Sequence, residues 1–519
     1  MLRLRAMSNT RRQETNHTIR TGARDVMTNR TLQTLGLTAT HGVIGDPVIS
    51  GICVDSRHCK QGDLFAAMPG AAVHGGEFVQ YALRMGAAAI LTDAVGFDLA
   101  TADVGEISIP VVVSTDPRRD LALASARCYA GQPAHMVAVT GTNGKTSVAN
   151  FTRQIWELLG LSAVNFGTTG VEGAYAAAMS HTTPEPVTLH KLLKTLKDEG
   201  ITHAAMEASS HGLEQRRLDG VYLTAGAFTN FTQDHLDYHE TFDAYFNAKA
   251  GLFTRVLPPE GSAVINIDDP KGAVLVDVAL SRGQDVITLG TGQGDLQILG
   301  IRFDATGQEV RFSWRGEVNT ARLNLIGGFQ AQNVLTAAAL AIACGAQSAD
   351  VFRCLPELRT VPGRMQLAAT RKNGASVFVD YAHTPDALET ALKAMRPHVL
   401  GRLLVVFGAG GDRDKGKRPL MGAAARDHSD VAFVTDDNPR SEDPDVIRKM
   451  ILAECPEASE IGDRAQAILT AVDALQPGDA LLIAGKGHET GQTVGDDVLP
   501  FDDVEQASVA VHALDGLGA

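Results

Sequence analysis

An apolar, β-rich run at 135–140 ends on the glycine turn Gly141-Thr142-Asn143-Gly144 and passes at once into a helical pattern that begins Lys145-Thr146-Ser147. A strand that turns through two glycines straight into a helix is one βα unit of a parallel sheet, so this stretch restricts the fold before anything else is considered. Backbone amides curled round such a turn, with a helix N-terminus behind them, form a seat for phosphate oxygens. Lys145 is placed to reach the β and γ phosphates and the Thr146 hydroxyl to ligate Mg²⁺, so the loop predicts a bound nucleoside triphosphate. The usual spacing begins with one more glycine, and Val139 holds that place.

The rest of the chain repeats the βα alternation. At about 150 residues per domain, 519 residues predict roughly three domains. We expect a disordered tail over 1–30 and α/β domains over 31–131, 132–360 and 361–519. In the first domain, strands are expected at 51–54, 63–67, 88–92 and 111–114, with helices at 77–85 and 118–129. In the third, strands at 377–381, 403–407, 431–435 and 480–484 alternate with helices beginning near Pro385, Pro419, Pro444 and Arg464, the pattern of a doubly wound, Rossmann-like parallel sheet. In such sheets ligands lie at the carboxyl ends of strands. The apolar run 334–346 is too short to span a bilayer and predicts a buried helix.

Charge and cysteine usage exclude several classes. With 46 Lys+Arg against 60 Asp+Glu the net charge is −14, and no long cationic run is present to neutralise a phosphate backbone, so small molecules rather than nucleic acid are the expected partners. The six cysteines (Cys53, Cys59, Cys128, Cys344, Cys354, Cys455) show no C-x-x-C pair and no zinc spacing, which predicts reduced, mostly buried thiols in a cytosolic protein. Residues 1–30 carry seven arginines against Glu14 and Asp25 and almost nothing apolar. They read as a tail, as an over-long start ahead of Met27, or as an organellar transit peptide, and with no apolar h-region they do not read as a secretory signal.

Later motifs narrow the chemistry. Glu207 follows an expected strand at 201–205, where it can hold Mg²⁺ opposite Thr146. His235 and Lys249 follow in the same block. In the third block, Gly408-Ala-Gly-Gly-Asp-Arg413 sets Arg413 where a dinucleotide fingerprint needs its third glycine, so that reading fails on spacing. Arg413 and Arg440 instead present two guanidinium forks, each suited to a carboxylate. Glu489, in the run Gly485-Lys-Gly-His-Glu489, can receive an ammonium. The set suits an amino acid with a second zwitterionic end.

Taken together, TGTNGKTS (140–147), TTPEP (182–186), EASSHGLEQRR (207–217), NFTQDHLDYH (230–239), NAK (247–249), GGFQAQN (327–333), PGRM (362–365) and DYAHTPD (380–386) resemble the Mur ligases over about residues 45–500. Within the family the chain is most similar to ligases that add the third residue of the peptidoglycan stem peptide.

The resemblance implies an ATP-dependent amide ligase with Mg²⁺ as cofactor, acting on UDP-MurNAc-L-Ala-D-Glu in cell-wall synthesis, and hence in cell shape and division. It implies that Gly141, Thr142, Asn143, Gly144, Lys145, Thr146, Ser147, Asn333, Arg364 and Asp380 hold ATP. Ser56, Thr182, Thr183, Ser209, Gln215 and Arg217 would hold the UDP-sugar dipeptide. Lys145, Glu207, His235 and Lys249 would be catalytic, with Thr146 and Glu207 at one Mg²⁺ and Lys249, carbamylated to N6-carboxylysine, beside His235 at a second. Asp437, Asn438, Pro439 and Arg440, the D-N-P-R of members that add meso-diaminopimelate, would join Arg413, Gly485 and Glu489 round that amino acid; lysine-adding members lack the arginine. The family usually has Asn where this chain has Gln330. His211 is a chemical candidate for the base that deprotonates the attacking amine. The competing readings are a lysine-adding ligase, a folate-polyglutamate ligase, a P-loop kinase or switch, and an inactive nucleotide-sugar binder.

Overall fold

The computed structural model of the chain describes residues 30–70, 73–179, 181–232 and 238–516. Apart from Arg30, the expected tail lies outside the described residues. Three main sheets carry the architecture.

In the central sheet, Asp285–Gly290, Ser262–Asn266, Ala225–Phe228, His135–Thr140, His203–Glu207 and Ala163–Gly167 lie side by side in parallel. The middle strands are buried on both faces, which is why they read as short continuous apolar runs rather than alternating ones. Helices Lys145–Leu158 and Phe329–Ala343 cover one face; Pro186–Asp198, Phe242–Gly251 and Pro270–Ser281 cover the other. The expected helix at 334–346 is Phe329–Ala343, which begins five residues and ends three residues earlier. Two features went unpredicted. The strands Leu296–Asp304, Gly307–Trp314 and Glu317–Leu323 extend one edge as an antiparallel meander, and Gly170–Gly173 folds back as a hairpin on the other. The strand expected at 201–205 is His203–Glu207, so Glu207 is its last residue rather than a loop residue beyond it.

The first sheet runs in the order His41–Gly42, Pro110–Val113, Ala89–Thr92, Leu64–Ala66, Ile52–Cys53. Its closing helix Pro117–Cys128 starts with proline in its first turn, behind the Asp116 carboxylate that accepts from the Arg119 amide. The third sheet is ordered Gln366–Thr370, Ser376–Asp380, Ala480–Ala484, Leu403–Phe407, Val431–Val434, Ser459–Glu460, parallel except for its first pair. Helices Pro385–Met395, Lys417–His428 and Pro444–Leu452 pack one face, and Arg464–Asp473 with Asp503–Gly516 the other, the doubly wound arrangement expected. A separate hairpin, Gly491–Val494 with Asp497–Pro500, lies against the loop after Val431–Val434. Among the described residues no helix is long and apolar enough to cross a membrane.

Candidate active site

The glycine turn has its conformation enforced at two points. Gly141 sits at φ +144°, where a Cβ would fall 1.9 Å from the Thr229 hydroxyl, and Gly144 at φ +88°, where one would fall 2.6 Å from Asn333 Oδ1. Lys145, first residue of its helix, folds back and donates from Nζ to the carbonyls of Gly141 (2.9 Å) and Thr142 (2.7 Å). The turn is anchored to the neighbouring strand end, where Asn230 accepts from the Asn143 amide at 2.9 Å and Thr229 donates to the Asn143 carbonyl at 2.6 Å.

Directly behind the turn, the Thr146 hydroxyl donates to Glu207 Oε2 at 3.0 Å, and Glu207 Oε1 accepts from the Thr168 amide at 2.7 Å. Glu207 is buried, and Gly167 makes room for it, since a Cβ there would lie 2.1 Å from Oε1. A hydroxyl and a carboxylate this close are hard oxygen donors of the kind Mg²⁺ takes, so the residues fit the ion. Lys249 is 1% exposed, donates to the Gly141 carbonyl at 2.7 Å and lies 4.4 Å from the Tyr245 ring centre. His235 lies outside the described residues.

A cavity of about 650 Å³ opens over the turn and gathers Thr142, Asn143, Gly144, Lys145, Thr146, Ser147, Glu207, Lys249, Asn333, Arg364 and Asp380 with Thr182, Thr183, Ser209 and Arg217. His211 is also on its wall, its ring 3.8 Å from that of Tyr238. The third sheet supplies the roof. Arg364 donates to the Thr146 hydroxyl at 3.4 Å and stacks 4.5 Å from the Tyr381 ring centre; Asp386 accepts from Asn143 at 3.3 Å and from Thr232 at 2.9 Å. Asp380 caps two amides, those of Met365 (2.7 Å) and Ala382 (2.9 Å), while burial pushes its carboxyl above the ordinary range. Gln330, the departure from the family pattern, is fully buried and accepts from the Asn333 side chain at 3.2 Å, so its added length is spent on orienting Asn333.

The residues expected to hold the dipeptide form a braced cluster. Thr183 donates to the Glu207 carbonyl and accepts from both the amide and the hydroxyl of Ser209. Arg217 donates to the Thr183 carbonyl and to Gln215, and burial lowers its guanidinium. Ser56 stands apart on the first sheet, in the single turn Ser56–His58, and does not line this cavity.

The third-sheet residues Arg413, Asp437, Asn438, Pro439, Arg440, Gly485 and Glu489 do not line the cavity either; they converge beside it. Arg440 adopts φ +51°, with its amide and carbonyl paired to Thr493 and Gly495 of the hairpin. Its Nη1 donates to the Gly411 carbonyl at 2.8 Å. A Cβ on Gly410 would lie 2.9 Å from that nitrogen and 3.8 Å from Arg413, so both arginines flank one glycine. Asn438 donates to Glu489 at 3.0 Å and accepts from Lys486 at 2.9 Å; Lys486 is wholly buried. The run Gly485–Glu489 packs against Gly363 and Tyr381, which bear the Arg364 side of the cavity, so the two sites share a wall. In that wall, burial and the nearby Arg364 drive the His488 imidazole down to about 4.

Sequence reasoning missed Thr168, Asp386, Lys486, Arg464 and the hairpin. Arg464 and Asp503, both fully buried, pair bidentately at 2.7 Å, and Arg464 also donates to the carbonyls of Ala484 and Asp436, the residues just before Gly485 and Asp437. Lys486 was readable inside its motif, but nothing local marks it as buried. Asp386 meets Asn143 across 243 residues, a contact with no local signal.

Comparison with known proteins places this arrangement. The family models for the Mur ligase family catalytic domain, the Mur ligase middle domain and the Mur ligase glutamate ligase domain match residues 48–142, 139–341 and 363–487. A UDP-N-acetylmuramoyl-L-alanyl-D-glutamate--2,6-diaminopimelate ligase of Chelativorans sp. (strain BNC1) is 49% identical over 470 residues, 90% of this chain and 96% of the relative. The ligase of the same name from Brucella melitensis is 49% identical over 473 residues, 91% of this chain and 96% of the relative. A solved structure of a ligase of that name superposes with TM-score 0.67 at 33% identity, covering 90% of this chain and 95% of the other. MurF from Thermotoga maritima, solved with ADP, shares the fold at 16% identity with TM-score 0.59, covering 90% and 98%. With three matched domains and relatives near half-identical along almost its whole length, the chain belongs to the Mur ligase family.

Proposed function

We propose that this protein is the cytoplasmic, ATP-dependent ligase that joins meso-diaminopimelate to UDP-MurNAc-L-Ala-D-Glu in peptidoglycan precursor synthesis, with the UDP-sugar held by 31–131, ATP by 132–360 and the amino acid by 361–519. The observation that carries the reading is the D-N-P-R loop. Arg440 is held at a strained backbone angle beside Arg413, and Asn438 of the same loop donates to Glu489, whose run packs against the wall that bears Arg364. A guanidinium fork with no carboxylate to meet is a poor partner for a lysine side chain, and this is how a site rejects an analogue.

The residues divide the reaction between them. Lys145 exchanges the carbonyls of Gly141 and Thr142 for phosphate oxygens, and Arg364 meets the same phosphates from the roof. The γ-carboxylate oxygen of the D-Glu residue attacks the γ-phosphorus, ADP leaves, and an acyl phosphate forms. Thr146, Glu207, His235 and a carbamylated Lys249 would hold Mg²⁺, which when bound neutralises charge on the transferring phosphoryl group. Carbamylation joins the neutral Lys249 amine to CO₂ with loss of one proton, turning a cation into a carboxylate-like ligand. Arg217 positions the dipeptide from the far side. The amine of diaminopimelate then attacks the acyl carbon, phosphate departs, and His211 on the cavity wall accepts the amine proton.

The test mixes protein, ATP, UDP-MurNAc-L-Ala-D-Glu and single amino acids and follows phosphate release. Release that depends on meso-diaminopimelate is the expected result. Equal release with L-lysine overturns the specificity, and phosphorylated product with no amine requirement overturns the ligase reading in favour of a kinase.

A further inference from the structure

Cys53 closes the strand Ile52–Cys53, Cys59 follows the turn Ser56–His58, and Asp63 precedes the strand Leu64–Ala66, so three short elements of the first sheet bring two thiols and a carboxylate together. One ligand atom from each lies within 4.8 Å of the others, and all three residues are buried, at 7%, 1% and 8% exposure. The Asp63 carboxylate pairs with no cationic side chain among the described residues; Oδ2 accepts from the Lys60 amide at 2.9 Å, and Oδ1 takes no hydrogen bond there. Gly51 leaves room for that oxygen, since a Cβ would approach it to 2.9 Å. Buried carboxylates are ordinarily paired or bound to a metal. The three residues also line a cavity of about 890 Å³, through which an ion and a water ligand can enter.

We propose that Cys53, Cys59 and Asp63 form a binding site for one thiophilic divalent cation of the Zn²⁺ class, with water from the cavity as fourth ligand. The donor set suits it, because thiolate and carboxylate at about 2.3 and 2.0 Å make a tetrahedral zinc site in which donors stand ~3.5–3.8 Å apart, so side-chain rotation has to close about 1 Å. Loading breaks two S–H bonds, forms two metal–sulfur bonds and releases two protons to water. The thiols give up their contacts to the carbonyls of Asp55 (2.8 Å) and Lys60 (3.8 Å). The ion ties together the two ends of the segment that carries Ser56 and stiffens it. The proposal is independent of the ligase reading, because it concerns the first sheet alone and its test needs no activity.

Full-length protein, reduced and stripped with a chelator, is titrated with Co²⁺ and then Zn²⁺. The expected result is one equivalent of Co²⁺ giving a thiolate-to-metal charge-transfer band, displaced by Zn²⁺, with two of the six thiols protected from a disulfide reagent. An oxygen-ligated Mg²⁺ site cannot produce that band. The double variant Cys53→Ser/Cys59→Ser loses it, and Asp63→Asn, which keeps both thiols, weakens Zn²⁺ binding by more than about tenfold. Hydrogen exchange over residues 54–60 slows when zinc is bound. Absence of the band in the unmutated protein overturns the proposal, as does an undiminished band in the double variant, unchanged affinity in Asp63→Asn, or loss of two free thiols without metal, which would mean a disulfide instead.

Discussion

At the carboxyl end of His135–Thr140 the chain holds its glycine turn with backbone groups. Lys145 is satisfied by two loop carbonyls, and two glycines admit neighbours that any side chain would strike. At the equivalent end of the third sheet, the loops after Leu403–Phe407, Val431–Val434 and Ala480–Ala484 are held by buried charged side chains. Arg464 with Asp503 ties two of them from beneath, Lys486 fixes Asn438, and Arg418, fully buried, forks onto Glu442, which in turn accepts from the Asp412 amide. Both solutions rigidify a site, but they fail differently. A backbone-built loop is sensitive to any added atom, whereas a side-chain-built one is sensitive to the loss of one partner.

Substitutions in the first region are therefore expected to be the most severe. Lys249→Ala should abolish ligation, with acetate restoring part of it; full activity of the alanine variant would remove the carbamate role. Gly141→Ala should abolish ATP binding as measured by calorimetry, because the new Cβ meets the Thr229 hydroxyl and the φ of +144° is unfavourable to it. Normal ATP affinity would show that the loop is less constrained than its contacts imply. In the second region Arg464→Ala, which strands Asp503 in the interior, is expected to cost about 3–5 kcal/mol in urea unfolding. A loss no larger than a surface substitution brings would break the contrast. Arg440→Ala should lower kcat/KM for diaminopimelate by about thirtyfold, ~2 kcal/mol, and leave KM for ATP unchanged; a parallel rise in both would mean that the two sites are not separable.

The smallest effect is a pH dependence of stability. Burial holds His190, His203 and His488 down to about 4 against an ordinary imidazole value of 6.5. On acidification the unfolded chain takes up these protons first, so their contribution is complete above 6.5 and is lost as the pH falls toward 4. Urea midpoints that stay level across this window would contradict it, and His488→Leu should remove only the third-sheet share.

The same contrast explains what could be read without a fold. The glycine turn, the doubly wound strands of the third sheet and the D-N-P-R loop are contiguous in the chain, and each states its backbone needs locally. The strand Leu403–Phe407 and the strand Ala480–Ala484 have the bounds expected from their apolar runs. The antiparallel meander and the hairpin at 491–500 were not expected, because alternating half-polar edge strands resemble loop sequence until a neighbour pairs with them.

Within the candidate site, sequence set Glu207 opposite Thr146 but not their direct hydrogen bond; that buried hydroxyl–carboxylate contact across 61 residues exists only once two parallel strands lie side by side. Lys486 is a lysine like any other until three loops close over it, and Cys53, Cys59 and Asp63 match no metal-ligand spacing because Asp63 arrives from the next strand. By itself the sequence determined where the backbone must turn at its glycines, which continuously apolar segments are strands and helices, and which residue types stand at their ends, since those depend on local sterics and on the apolar pattern. Only the tertiary structure decided which charges are buried and what they meet, because burial and pairing belong to whatever element comes to cover a side chain and not to the residue that bears it.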